Sequence, residues 1–179
     1  MAPATPSDLF VYLDRLGIAT RTVAHAPVFT VAESRAIKAA IPGGHSKNLF
    51  LKDRKERLFL VVARDEARID LKRLSDIIGA SGRLSFGSAD LLRSVLGVEP
   101  GSVTPFAAIN DRDGRVSVVL DADLMALERV NVHPLANTMT TTIAAADLIW
   151  FLQAAGHDPC VLTLPEPASE SGREAGASA

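Results

Sequence analysis

Apolar residues recur along this chain in two rhythms. Leu9, Tyr12, Leu13 and Leu16 repeat at helical spacing behind the cap candidates Ser7 and Asp8, and Gly17 closes the run. Residues 18–24 predict a strand. Thr30 is placed to cap a second helix reaching through Ile37 to residue 40, stopped by Pro42-Gly43-Gly44. Residues 47–52 and 58–63 are apolar runs joined by the charged turn 53–57, a hairpin signal. Asp70 opens a helix carrying Leu71, Leu74, Ile77 and Ile78 up to Gly79. Ser88 opens another carrying Leu91, Leu92, Val95 and Leu96 up to Gly97. Residues 106–109 then predict a strand, 110–114 a turn and 116–120 its return strand. A Thr-rich strand at 139–143, a helix at 144–155 ended by Gly156, and a strand at 161–164 complete the pattern.

Helices and strands alternate, hairpins interrupt them, and no internal repeat appears. The fold class expected is therefore α/β (α+β), a mixed sheet with helices packed outside it. One domain over residues 1–164 is expected. From Pro165 the sequence lacks core-forming residues and predicts a disordered tail over 165–179.

Composition sharpens this picture in a few places. Of 179 residues, 47% are hydrophobic but only 5% aromatic, so the core must be built from Leu, Val, Ile and Ala. A net charge of -2 gives no global basic footprint for nucleic acid. A local one is available in Lys47, Lys52, Arg54, Lys55 and Arg57, which read equally well as a solvated edge. Cys160 has no partner cysteine and, next to Pro159, is expected as a small buried apolar side chain. The N-terminus lacks the regions of a signal peptide, and no apolar stretch reaches the roughly 18 residues of a membrane span. The expectation is a cytoplasmic protein with no membrane partner.

The chain has no GxxxxGK[ST] loop, CxxC pair or HExxH helix, and His25, His45, His133 and His157 are not at close helical ligand spacing. No metal and no cofactor are expected. Chemistry instead gathers in three segments. Gly43-Gly44-His45-Ser46-Lys47-Asn48 leads into an apolar strand. Asn is depleted in strands, and a Lys beside apolar residues is costly to desolvate, so the Lys47–Asn48 pair points to a site. Read alone, Lys47 is also a surface lysine at a strand start. Gly97-Val98-Glu99-Pro100-Gly101-Ser102-Val103-Thr104-Pro105 is a turn-rich loop with two hydroxyls. Val132-His133-Pro134-Leu135-Ala136-Asn137-Thr138 adds a histidine held extended by the following proline.

In order, spacing and combination these segments resemble the free-standing prolyl-tRNA editing proteins of the YbaK/ProX superfamily, over roughly residues 9–164. The resemblance is to the group that hydrolyses Ala-tRNA(Pro). It implies a curved, largely antiparallel sheet ringed by helices, with a pocket at one side. It also implies a trans-editing deacylase that cleaves the ester of mischarged Ala-tRNA(Pro). Prolyl-tRNA synthetase or an elongation factor would be its transient partners. The alternatives are a deacylase for Cys-tRNA(Pro) or another small mischarged ester, and a non-catalytic aminoacyl-tRNA or synthetase-binding module.

Carried over residue by residue, Lys47 becomes the catalytic residue. It holds the ester carbonyl or its developing oxyanion, or serves as a base if burial depresses its pKa. Asn48 orients the substrate. Gly101, Ser102 and Thr104 match the substrate loop, and His133 the pocket histidine, with Asn137 and Thr138 beside it. Ile37, Phe50 and Val103 are candidates for the apolar wall that sizes the aminoacyl side chain. Lys52 and Arg83 match positions that contact the tRNA acceptor end. The sequence departs from the family near Thr22, which lacks the aromatic often found there.

Overall fold

The computed structural model describes residues 2–27 and 31–168. The first helix, α1 (Pro6–Arg15), starts two to three residues earlier than Ser7 and Asp8 suggest. Thr5 is the cap: its hydroxyl accepts from the Asp8 backbone N–H at 3.2 Å, and the Asp8 carboxylate accepts from the Thr5 N–H at 2.8 Å. Two orphan donors are satisfied at once, and Leu9 and Leu13 are turned into the core. The strand β1 (Thr20–Ala24) and the helix α2 (Val31–Ala40) follow. The expected cap of α2, Thr30, lies outside the described residues.

The hairpin is present as β2 (Gly44–Lys52) and β3 (Leu58–Arg64), paired antiparallel from Ser46↔Arg64 to Lys52↔Leu58. Its turn is organised by Asp53, which accepts from the backbone N–H groups of Lys55, Arg57 and Ser81 and from the Arg57 guanidinium. Burial pushes the Asp53 carboxyl up, but those donors outweigh it and hold it at about 2. Asp70 and Ser88 cap α3 (Leu71–Ile77) and α4 (Ala89–Leu96) as expected, with the short β4 (Ser85–Phe86) between them. Gly97 ends α4 with φ 63°, a left-handed cap that glycine adopts without a Cβ clash.

Residues 106–109 are a correction. They form a 3₁₀ segment (Pro105–Asn110), not a strand. Thr104 caps it, Pro105 contributes no ladder N–H, and the Ala107 and Asp111 N–H groups bond to the carbonyls of Thr104 and Ala108. The return strand β5 (Val116–Asp121) therefore has no hairpin partner there and pairs parallel with β3. Five further elements complete the chain order after it, beginning with α5 (Ala122–Met125), β6 (Arg129–Val132) and β7 (Met139–Ala144). Then come α6 (Ala145–Ala154) and β8 (Cys160–Leu162). Sequence patterning had assigned neither α5 nor β6. Cys160 is exposed, not buried, because β8 is a short edge strand. The carbonyls of Pro165 and Glu166 accept from Asp70 and Arg73, which ties the start of the expected tail to α3. Residues 169–179 lie outside the described ones.

The sheet runs β1-β7-β6-β2-β3-β5-β8, with β4 on β2. It is mixed: β1–β7, β6–β7, β2–β3 and β2–β4 are antiparallel, while β2–β6, β3–β5 and β5–β8 are parallel. At its centre β3 is buried on both faces, which is why it reads as an unbroken apolar run. Leu58, Leu60 and Val62 face the main core with Phe106, Leu148 and Phe151. Phe59, Val61 and Ala63 face a smaller core with Leu51, Leu74 and Leu84. Edge-to-face contacts of Phe151 with Phe106 and Tyr12, at 5.1 and 5.9 Å, fix α6 against the main core.

The β1-β7-β6 end positions the polar residues. Val130, Val132 and Ile143 point into the main core. Strand alternation then turns Arg21, Val23 and His25 to the opposite face, together with Thr140, Thr142, Arg129 and Asn131.

Candidate functional site

A cavity of about 250 Å³ lies on this opposite face. Its walls come from β1 and β7 (His25, Thr140), from α2 (Ser34, Ile37, Lys38), from β2 (His45, Ser46) and from β6 and the loop after it (Asn131, Val132, His133, Asn137). Gly101 and Asp65 close the rim. The polar residues are fixed by one another. The Ser46 hydroxyl donates to the Asn131 carbonyl at 2.9 Å, and Thr142 donates to the Asn131 side-chain oxygen at 2.6 Å. His45 Nε2 faces two carbonyls, Ile41 at 2.9 Å and Lys38 at 3.1 Å, so it carries the proton and donates to both. That bond ties the end of α2 to β2. Lys38 and Asp65 form a close ion pair across the rim.

Two histidines remain for chemistry. His25 Nδ1 donates to the Ala26 carbonyl at 2.9 Å, and in the neutral ring Nε2 accepts from the Thr140 hydroxyl at 2.9 Å. His133 Nδ1 donates to the Met139 carbonyl at 3.0 Å. Its tautomer is thereby set, and Nε2 carries the lone pair. Burial lowers the His133 pKa, the Met139 carbonyl opposes that, and the charge of His25 adds to the lowering. A neutral imidazole with one nitrogen committed and the other basic is what a general base requires at neutral pH.

Of the residues singled out from sequence, the cavity gathers Ile37, Gly101, His133 and Asn137. Gly101 sits at φ 89°, a conformation suited to glycine, and a Cβ there would meet only the Asn137 amide at 3.8 Å. Lys47 lies outside the walls. Pairing of His45 with Asn131 and alternation along β2 nevertheless put Lys47 on the same face as His45 and Asn131, with Ser46 turned the other way; the Lys47 ammonium donates to the Ala67 carbonyl, two residues past Asp65 on the rim. Asn48 shares the face of Ser46, and its side-chain oxygen is buried with no hydrogen-bond partner among the described residues. Phe50 is 4% exposed and belongs to the main core. Ser102 is buried, and Thr104 is fully buried with its hydroxyl accepting the Phe106 N–H. Val103 packs against the main core. The Thr138 carbonyl accepts from the His25 N–H, joining the His133 loop to β1.

Lys52 pairs with Glu56 at 2.9 Å. Arg83 is exposed at the edge of a separate hollow beside α3. The cavity also contains His25, His45, Lys38, Asp65, Asn131 and Thr140, which the sequence reading missed. Thr140 and Thr142 share a face by period two, as do Asn131 and His133, so that signal was present once β6 was recognised as a strand. Among the described residues no three His, Cys, Asp or Glu side chains converge as a metal-ligand set, and no helix is long and apolar enough to cross a membrane.

Comparison with known proteins agrees with this architecture. The family model for the aminoacyl-tRNA editing domain matches residues 25–151. A prolyl-tRNA editing protein ProX from Acetoanaerobium sticklandii is 40% identical over 146 residues, covering 81% of this chain and 88% of its own. A prolyl-tRNA synthetase associated domain-containing protein 1 from Danio rerio is 38% identical over 158 residues, covering 87% of this chain and 85% of its own. The solved structure of a candidate trans-editing enzyme for prolyl tRNA synthetase superposes with a TM-score of 0.70 at 19% identity. It covers 93% of this chain and all of that one, and so shares the fold. The chain therefore belongs to the aminoacyl-tRNA editing domain family.

Proposed function

We propose that this protein is an aminoacyl-tRNA deacylase that cleaves the ester of mischarged Ala-tRNA(Pro) in trans. The observation that carries the reading is the cavity itself: small, more polar than apolar and lined by His133, whose basicity burial lowers. Its volume, about 250 Å³, is below the roughly 300–1,000 Å³ of pockets that take drug-sized ligands. Either an alanyl or a prolyl group fits that volume, so the size filter would lie in how closely Ile37 approaches the aminoacyl side chain. That size filter matters because alanine enters any synthetase pocket shaped for proline, and lost apolar contact gives only about 1–3 kcal/mol per methylene of discrimination.

An aminoacyl ester is already activated. Hydrolysis needs a positioned water, a base and a donor for the developing oxyanion. His133 Nε2 takes the proton of the water as its oxygen adds to the ester carbonyl, and returns it to the ribose oxygen as the acyl–oxygen bond breaks, releasing alanine and tRNA. Ile37 closes the apolar side against the alanyl methyl. Asn48 lies outside the cavity walls, and its buried, unpartnered oxygen would turn toward them to meet the α-ammonium. Lys47 is proposed as the oxyanion donor, exchanging its bond to the Ala67 carbonyl for one to the ester.

The commitment of Lys47 to Ala67 also favours a second reading, a non-catalytic aminoacyl-tRNA-binding module. Release of labelled alanine from Ala-tRNA(Pro) separates the two. The wild type should accelerate release well above the spontaneous rate, and binding without acceleration would favour the module.

A further inference from the structure

A second hollow, of about 200 Å³, lies on the same face of the sheet at the other end of β1. Its walls are Arg21, Val23, Ile41, Pro42, Arg129 and Thr142. The register explains the grouping. Arg21 pairs with Thr142, Thr142 pairs with Asn131, and Arg129 stands two residues before Asn131, so all share one face. Two guanidiniums thus border one small space, and no carboxylate lines it.

Neither charge is well neutralised. Arg129 approaches Glu128 only at 3.7 Å, with both side chains mostly exposed, a rim pair of little worth. The Arg21 side chain has no hydrogen bond or ion pair among the described residues. Three carbonyls at the end of α2, which would oppose an anion, are engaged elsewhere. Lys38 and Ile41 accept from His45, and Pro42 accepts from Asn131 at 3.1 Å. Like charges held around an empty space call for an anion, and two planar forks suit the oxygens of a phosphate.

We infer that Arg21 and Arg129 clamp a phosphodiester of the tRNA 3′ strand, upstream of the ester held in the neighbouring cavity. This rests on the deacylase reading. Four residues of strand separate Arg21 from His25 in the cavity wall, about 13 Å. A short stretch of single-stranded 3′ end spans that distance along β1. The clamp would give a protein of net charge -2 a local grip on RNA where its overall charge gives none.

The test measures Kd for uncharged tRNA(Pro) against salt, together with deacylation, for Arg21→Gln, Arg129→Gln and the double variant. Each single change should raise Kd roughly tenfold, and the double variant should flatten the salt slope by about one, the count for one phosphate. The ratio of kcat/KM for Ala-tRNA(Pro) to that for alanyl-adenosine, which has no phosphate, should fall in parallel. Arg21→Lys should keep the salt slope while losing part of the affinity, a readout that stands if a Gln variant melts early. Unchanged Kd and slope in a double variant with normal melting would overturn the clamp. So would Arg-dependent binding of inorganic phosphate with no Arg-dependent binding of tRNA, or a wild type that binds no tRNA. Arg-dependent tRNA binding in a wild type that cleaves no ester would sustain the clamp while the deacylase reading falls.

Discussion

Replacing His133 separates chemistry from architecture because its two ring nitrogens have different tasks. Nδ1 donates to the Met139 carbonyl at 3.0 Å, and Nε2 holds the lone pair. Asn carries an amide donor near the position of Nδ1 and nothing in place of Nε2. His133→Asn should therefore keep the loop bond and lose only the base. His133→Ala loses both and leaves the Met139 carbonyl unpaired, at about 1–3 kcal/mol of stability. Loss of a general base lowers turnover by roughly 10²–10⁴-fold. Both variants should show that loss in single-turnover deacylation of Ala-tRNA(Pro), while only the Ala variant melts measurably earlier.

The pH profile adds an independent check. Burial lowers the His133 pKa from 6.5, so the basic form persists below neutrality. The wild-type kcat/KM should stay flat through pH 7 and fall only on an acid limb below 6.5, and that limb should be absent in His133→Asn. The same depression makes protonation oppose folding, so His133 weakens stability as pH falls below about 6.5 and not above it. Turnover of His133→Asn within about threefold of wild type, or an acid limb above 6.5, would refute the assignment of His133 as base.

Four further outcomes are expected. Ile37→Ala should enlarge the cavity, keep the fold and begin to cleave Pro-tRNA(Pro). Phe50→Ala, in the main core, should instead lose about 3–5 kcal/mol in denaturant unfolding. Lys47→Ala should lower kcat by roughly two orders of magnitude or more with little change in Tm; a lowered Tm with normal kcat would leave it only the tie to Ala67. Asp53 is held at about 2, so it stabilises the fold above about pH 4, and that contribution disappears as pH falls from about 4 to 2. The Tm gap between wild type and Asp53→Asn should close over that window.

Local chemistry wrote much of the fold into the sequence. Asp70 and Ser88 capped their helices, Gly97 ended one, and the turn at Asp53 joined β2 to β3, because each signal acts within a few residues. Segment 106–109 misled because its apolar run is strand-like, while Pro105 and the Thr104 cap favour a 3₁₀ turn. β6 escaped because four residues are too short for a period to register. In the site, Ile37, Gly101, His133 and Asn137 were legible from residue type and loop chemistry. The bond of His25 to Thr140 was not, since it spans 115 positions and depends on β1 pairing with β7. The face of Lys47 depended on register in the same way. Pairing of His45 with Asn131 puts His45 and Lys47 on one side and Ser46 on the other, and a shift of one residue along β2 exchanges their sides.

The central claim is tested most directly by incubating the wild-type protein with Ala-, Cys-, Ser- and Pro-tRNA(Pro) and measuring the deacylation rate of each. The account predicts that the Ala ester is cleaved fastest and the Pro ester not above its spontaneous rate. Preference for the Cys ester would overturn the alanine assignment, and spontaneous rates for all four would overturn the enzyme.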